Sequence, residues 1–537
     1  MSKDLKKSKG VSLAIFSSRI LGLVREQIFA IYFGAGLVKD AFDVAFRIPN
    51  LLRDLFAEGA MSAAFVSRFS AIKASESEQS AFELACKVIT FLSLVVGAIV
   101  LLSIVFCEEL VQLFAGGFAD RLDVSSTRLN ATQLTTCMIK LMFPFLWLVS
   151  IASVFTGILN TYRRFGLPAL APALFNVGTI CAGGLAAYIF HFNNLEPIFG
   201  MALGTVMGGI FQWLLLLPQL RKVSFKFRPD FKFNHPHLKQ VLVMMIPAVI
   251  GQSAFQVNLI ITTRYAADLG AGSISWLGYA YRFMQLPIGV FSVAIAIVAL
   301  PNLAELISLK RFPEFKNSLT ESLKLCLFFT IPASIGLYIL AEPIVHCIYG
   351  YGKFSIGNHT YNTAGALKYY VLGLAAWSVV KILSPAYYAN NKTWIPMCGS
   401  FFAIAVNAIL CYYFIYQNRI FPEHPHFALA LATTIAAFVN AIILYLFTNK
   451  FEWKLDLLSM TPFFFKLGIA SGVLGFVSYF LKQGLFTDLA NSNPWLNAGL
   501  LGLVIGIAFI SFMITAKTLK LSQVELVFGK LLTRFKK

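Results

Sequence analysis

Charge is scarce in this chain: 13% of 537 residues are Asp, Glu, Lys or Arg, and the 25 acids are outnumbered by 44 bases. A soluble fold of this length could not cover its surface with so few charges. Alternating polar and apolar runs of about ten residues are missing too, which argues against a membrane β-barrel. Eight cysteines (Cys86, Cys107, Cys137, Cys181, Cys326, Cys347, Cys398 and Cys411) are scattered without C-x-x-C spacing or a nearby histidine. That excludes the usual zinc and disulfide patterns and leaves the thiols as packing residues, so no metal is expected. No H-E-x-x-H, G-x-S-x-G or Walker pattern occurs, and the seven histidines sit in or near loops, so an enzyme has little to work with. The basic N-terminus lacks the clean apolar stretch of a signal peptide, because Arg19, Arg25 and Glu26 interrupt it; the first helix is expected to stay in the mature protein.

What the chain has instead is hydrophobicity, 58% of its residues, with a mean hydropathy of +0.73. Runs of about 20 apolar residues recur from end to end, each long enough to cross a hydrocarbon core of about 30 Å as a helix. The pattern predicts an all-α polytopic membrane protein of about fourteen spans, centred near residues 22, 52, 95, 147, 180, 207, 252, 290, 335, 376, 405, 437, 473 and 505. Loop charge follows the same count. The tails and every second loop are basic, including Arg68/Lys73, Arg163/Arg164, Arg221 to Lys239, Lys310/Arg311 and Lys450/Lys454. Intervening loops hold Glu108/Glu109, Asp120/Asp123, Glu196, Asp268, Glu423 and Asp488. The positive-inside rule then places both termini in the cytoplasm, which needs an even number of spans. The net charge of +19 is a consequence of topology, and no nucleic-acid partner is expected.

Ala45-Phe46-Arg47-Ile48-Pro49-Asn50-Leu51 aligns with Ala280-Tyr281-Arg282-Phe283-Met284-Gln285-Leu286, 235 residues later (282 − 47). At that offset Ser18 meets Ser253, Phe56 meets Phe291 and Ala64 meets Ala299, and a slightly shorter one pairs Pro168 with Pro396. Two parallel six-helix lobes follow, at residues 1–220 and 240–450, with a basic cytoplasmic linker at 221–239 and two further helices with a basic tail at 451–537. The linker alternates basic and aromatic residues (Arg221-Lys-Val-Ser-Phe-Lys-Phe-Arg-Pro-Asp-Phe-Lys-Phe). It reads either as a segment lying on anionic lipid headgroups or as an ordinary positive-inside connection.

Charges in hydrocarbon cost several kcal/mol on even the lenient insertion scale, so they mark function by default. Here they cluster in the first two spans: Arg19, Arg25, Glu26, Asp43, Arg47, Arg53, Asp54 and Glu58, with Arg282 on the repeat partner of the second span. Ser18, Gly22 and Arg25 share one helical stripe and Arg19 and Glu26 the next, so one side of the first span is polar. Asp43 and Arg47, at i and i+4, are expected to pair, as are the arginines with Asp54 and Glu58. Convergence of Arg19, Arg25 and Arg282 would leave an excess of guanidinium, whose planar fork suits phosphate. Pro49 and the Pro287-Ile288-Gly289 stretch are expected to break the second and eighth spans and supply hinges. Lys140 and Lys381 are read as snorkelling to an interface, and Glu305 as lying at a helix end.

The segments Ser18-Arg-Ile-Leu-Gly-Leu-Val-Arg25-Glu26, Asp40-Ala-Phe and Phe46-Arg-Ile-Pro-Asn50-Leu-Leu-Arg53-Asp-Leu-Phe-Ala-Glu58-Gly59-Ala60 resemble the MurJ/MviN family. The likeness continues through Asn160-Thr-Tyr-Arg163-Arg-Phe, Trp276 to Pro287 and Tyr351-Gly-Lys-Phe354, and so covers essentially the whole chain. It implies a transporter of the multidrug/oligosaccharidyl-lipid/polysaccharide exporter superfamily, in the bacterial inner membrane, with two lobes around a central cavity. Its cargo would be lipid II, flipped by alternating access, with the last two helices forming a groove for the polyprenyl tail. By the same resemblance Arg19, Arg25, Arg53, Arg282, Ser18, Asn50, Glu58 and Gln285 fall at substrate-binding positions, and Asp40, Ser275 and Glu26 at the outward gate. Gln285 stands where some members have Glu, which leaves Arg282 less neutralised. Some members carry a sodium site on the seventh, eleventh and twelfth spans; no carboxylate lies inside those segments here, so sodium coupling is not expected, the driving force is read as membrane potential or an ion gradient, and no cofactor is expected. The partners implied are lipid II, membrane lipids and cell-wall synthesis or division proteins.

Three rival readings follow from the same residues. A multidrug exporter of organic cations calls for a carboxylate-rich or aromatic cavity, against the arginines here, whereas charge does not separate lipid II from another polyprenyl-diphosphate glycan. A glycosyltransferase would use Asp43, Asp54 or Glu58 as base. A non-transporting scaffold would leave the buried arginines without a purpose.

Overall fold

The computed structural model describes residues 2–55, 60–118, 129–486 and 493–525, and among them every regular element is a helix. Local chemistry sets many of the boundaries. Ser77 caps the helix that follows it by accepting the Ser80 N–H at 3.0 Å, and Asn130 and Gln133 form a reciprocal capping box. Proline opens the helices at Pro144, Pro197, Pro236 and Pro494, where its missing N–H costs nothing.

The chain packs as two compact units, divided between Ile274 and Ser275. The first contains α1 (Ser2–Phe33), α2 (Leu37–Arg53), α3 (Ala60–Ser75), α4 (Glu78–Val105), α5 (Cys107–Ala115), α6 (Ala131–Met142), α7 (Pro144–Thr161), α8 (Gly166–Phe192), α9 (Pro197–Lys222) and α10 (Pro236–Ala267). Its tightest seam joins α8 to α9, where glycines let the backbones approach. A Cβ on Gly204 would lie 2.4 Å from the Gly183 Cα, and one on Gly200 2.2 Å from the Ala187 nitrogen. α1 lies against α8, and α2 against α6 and α7.

The second unit takes in α11 (Ser273–Pro287), a π-helical turn (Ile288–Ser292), α12 (Val293–Ser308), α13 (Phe312–Ile339), α14 (Ala341–Tyr349), α15 (His359–Leu372), α16 (Leu374–Ala389), α17 (Trp394–Tyr412), α18 (His426–Thr448), α19 (Thr461–Leu485) and α20 (Pro494–Thr518). Its core is organised around Trp453, whose ring lies 5.2 Å from Phe315, 5.3 Å from Tyr387 and 5.0 Å from Phe451. Outward faces remain apolar: α20 exposes Leu503, Phe509, Ile510 and Ile514, as expected of helices solvated by lipid.

The duplication is written into the element order. α4 and α13 begin at 78 and 312 and end at 105 and 339, a shift of 234, and α5 and α14 keep the same shift. Later elements move to the shorter offset: α8 begins at 166 and α17 at 394, a shift of 228, which also pairs the left-handed turn residues Arg163 and Asn391. Packing cuts the chain differently from the repeat. α10, the counterpart of α1 in the second copy, packs on α3, α4 and α5 of the first unit.

Ten helices are long and apolar enough to cross a membrane, or eleven if the α15–α16 pair, bent by 45°, is a single span. The other three expected positions, near residues 22, 52 and 252, are occupied by α1, α2 and α10, which are not among these. The sequence count of fourteen therefore stands beside ten or eleven spans identified by length and composition among the described residues.

Candidate substrate-binding site

The polar stripe of α1 meets α2 and α8 inside the first unit. Arg25, 8% exposed, lies between the rings of Phe46 and Phe175, 5.6 and 5.7 Å from their centroids, and donates to Glu26 Oε1 at 2.9 Å. Two aromatic faces and a carboxylate fix this guanidinium in place. Lys39, 2% exposed, donates to Asp43 and lies 3.7 Å from Glu26 Oε2. Two bases and two acids thus balance inside this buried network.

The expected Asp43–Arg47 pair does not form. Asp43 pairs instead with Lys39, one turn earlier on the same helix, and Arg47 donates to Thr263 Oγ1 of α10. The bond from Arg47 ties the second span to a helix of the other sequence repeat. Arg53 does pair with Asp54, at 2.9 and 3.2 Å, and Gln256 of α10 donates to the second oxygen of Asp54 at 2.9 Å. Glu58, the other acid expected to pair here, lies outside the described residues.

Asp40 is buried at the other end of α2, where its Oδ2 accepts the Gly272 N–H at 2.6 Å. This fastens the start of α2 to the turn that precedes Ser275, itself fully buried at the start of α11. Arg19 is exposed and has no side-chain partner among the described residues. The Ser18 carbonyl beside it accepts from Asn176 Nδ2 of α8 at 3.2 Å, which positions this stretch of α1. Asn50 is half-buried on α2; Arg282 and Gln285 are exposed on α11.

The two proline positions differ. α11 gives way after Pro287 to the π-helical turn Ile288–Ser292, as the sequence suggests. α2 continues through Pro49 to Arg53, so the expected break at Pro49 is absent. A proline removes one backbone donor, and a membrane helix can absorb that loss without ending.

Sequence reasoning missed Lys39, Asn176, Gln256 and Thr263. Lys39 had a signal, its i, i+4 spacing to Asp43. The other three are neutral side chains from distant helices, and nothing local marks them.

A sequence profile of the family described as "Lipid II flippase MurJ" matches residues 29–490. A protein of Buchnera aphidicola subsp. Acyrthosiphon pisum named "Probable lipid II flippase MurJ" is 32% identical over 473 residues, 88% of each chain. One of Burkholderia cenocepacia named "Lipid II flippase MurJ" is 33% identical over 438 residues, 81% of each. Among solved structures, "Lipid II flippase MurJ, inward closed conformation" superposes with a TM-score of 0.76 at 28% identity, over 95% of this chain and 99% of that one. A multidrug resistance MATE family transporter of the MOP superfamily, inward-facing, shares the fold at TM-score 0.65 and 14% identity, over 80% and 93% of the two chains.

Proposed function

Because this chain belongs to the lipid II flippase MurJ family, we propose that it carries lipid II from the cytoplasmic to the outer leaflet of the bacterial inner membrane. The match of the family profile across residues 29–490 carries this reading, with a solved member of the family superposing over nearly the whole chain. The charge of the polar helices is consistent with it. Arg19 and Arg282 would engage the diphosphate of the headgroup, and the buried Arg25–Glu26–Lys39–Asp43 network would keep α1 and α2 in register while it is bound.

Alternating access follows from two repeats with polar intramembrane helices. Asp40, Ser275 and Glu26 would serve the outward gate, and the headgroup would be released outside once that gate opens. The polyprenyl tail stays in lipid, beside α19 and α20. Membrane potential would supply the driving force by acting on the intramembrane charges, at about 2.3 kcal/mol per elementary charge per 100 mV. Both termini face the cytoplasm in this reading, and the protein is a transporter with no resident cofactor.

Reconstituted protein provides the test. Wild type should translocate fluorescent lipid II across proteoliposomes, and Arg19→Ala and Arg282→Ala should abolish transfer while the protein remains folded. Intact transfer in both variants would remove the arginines from the mechanism. Transfer of organic cations in place of lipid II would favour the multidrug reading, which at present rests on a fold shared at 14% identity.

A further inference from the structure

The segment between α9 and α10 has a fixed course. Phe225 packs edge-on against Phe82 near the start of α4, with ring centroids 5.4 Å apart, and Phe233 packs against Phe91 at 5.6 Å. Between these contacts the irregular backbone is fastened to one side of α4. The Arg228 N–H donates to Cys86 Sγ at 3.5 Å and the Asp230 N–H to Thr90 Oγ1 at 3.1 Å, and Asp230 forms an ion pair with the buried Lys87. From Phe82 to Phe91 the strap advances about 14 Å along the helix, at about 1.5 Å per residue.

Its far end lies against the start of the uncharged part of α4. After Lys87, α4 carries no charged residue as far as Val105, so the Phe91–Phe233 contact falls in the first turns of its apolar stretch. The outer side of the strap has two properties that water alone does not explain. Phe227 and Phe231 are 46% and 64% exposed, and Lys226, Arg228 and Lys232 stand exposed around them. Asp230, the sole acid between Arg221 and Lys239, is turned inward onto Lys87, so the outward face is cationic and aromatic.

We propose that this strap is a membrane-docking surface. Phe227 and Phe231 enter the headgroup region of the leaflet on the strap's own side, and Lys226, Arg228 and Lys232 rest on the phosphates of anionic lipids. The loop charges mark this side as cytoplasmic, the leaflet that presents negative charge. Continuity with the apolar part of α4 selects a bilayer over a soluble acidic partner, because Phe231 lies edge-on to Phe233, whose own ring packs against Phe91 in that apolar part. The inference is independent of which cargo the protein moves.

The test uses the full chain in nanodiscs of phosphatidylcholine, with and without phosphatidylglycerol, whose acyl chains are brominated near the headgroup. Phe231→Trp adds one indole, and its emission is read as the difference from wild type. The proposal predicts a quenched, blue-shifted contribution in the anionic discs and a weaker one in the neutral discs. In Lys226→Gln/Arg228→Gln/Lys232→Gln, loss of three charges should lower the docking equilibrium constant on the order of 100-fold, moving the indole toward water. Strap anchors on α4 are untouched in both variants, so the fold is retained. An unquenched, water-exposed indole in anionic discs would overturn the proposal and point to a soluble partner. Quenching that ignores lipid charge would overturn its electrostatic part, as would quenching that survives the triple substitution.

Discussion

Glu26→Gln is a demanding test of the buried network, because one carboxylate there serves two cations. Its oxygens lie 2.9 Å from Arg25 and 3.7 Å from Lys39, and the Glu26 side chain is 4% exposed. At an effective dielectric near 20, each attraction is about 4–6 kcal/mol before desolvation is charged against it. The net effect is smaller. Removing one partner of a buried pair costs about 3–5 kcal/mol, most of it from the cation left behind, and an amide retains an acceptor for Arg25, so about 3 kcal/mol is expected here. Lys39→Met should remove part of that penalty, since it withdraws the surplus positive charge. A double-mutant cycle between Glu26 and Lys39 is therefore expected to show coupling of about 1–2 kcal/mol. Reversible unfolding in mixed micelles measures all three variants. A Glu26→Gln cost below about 1 kcal/mol, with no rescue by Lys39→Met, would refute the claim that these charges stabilise one another.

Other consequences can be checked separately. Asp40→Ala leaves the Gly272 N–H without its 2.6 Å acceptor, and hydrogen exchange at Gly272 should accelerate about 10–100-fold, whereas Asp40→Asn should retain much of the protection. Gly204→Ala drives a methyl group against the Gly183 backbone and should cost about 1–3 kcal/mol; Gly184→Ala, where a Cβ meets nothing within 4 Å, should be near neutral. Burial, with Lys87 and His237 nearby, holds His235 below its ordinary value of 6.5, although Glu76 and Glu83 oppose this. The strap seated on α4 accordingly binds fewer protons than one released from it, and its attachment to α4 should weaken as pH falls through 6.5. Asp230, held below its ordinary 3.8 chiefly by Lys87, stays ionised throughout that window. Protection factors over residues 225–235, with the intrinsic pH dependence of amide exchange divided out, should be lower at pH 5.5 than at pH 7.5; equal protection would contradict the assignment.

Much of the architecture could be read from local pattern because lipid imposes local rules. Apolar runs become helices whatever their neighbours; the longer sequence offset aligns α4 with α13 to within one residue, and the shorter one aligns α8 with α17. The charged helices were equally visible, since Arg25 and Glu26 stand out against hydrocarbon. Pairing was harder to read. Spacing alone favours Asp43–Arg47, but Lys39 competes for the same carboxylate and Thr263 receives the guanidinium from more than 200 residues away. Only tertiary packing decides such a competition. Likewise, no periodicity announces that α10 joins the first unit, or that a basic linker is pinned to α4 through Lys87 and Thr90.

The most direct test of the central claim is the accessibility of the lipid II headgroup at the outer face of cells depleted of this protein and then supplied with wild type or Arg282→Ala. Accessibility should fall on depletion and return with wild type alone. Unchanged accessibility on depletion, in cells with no second flippase, would contradict the account.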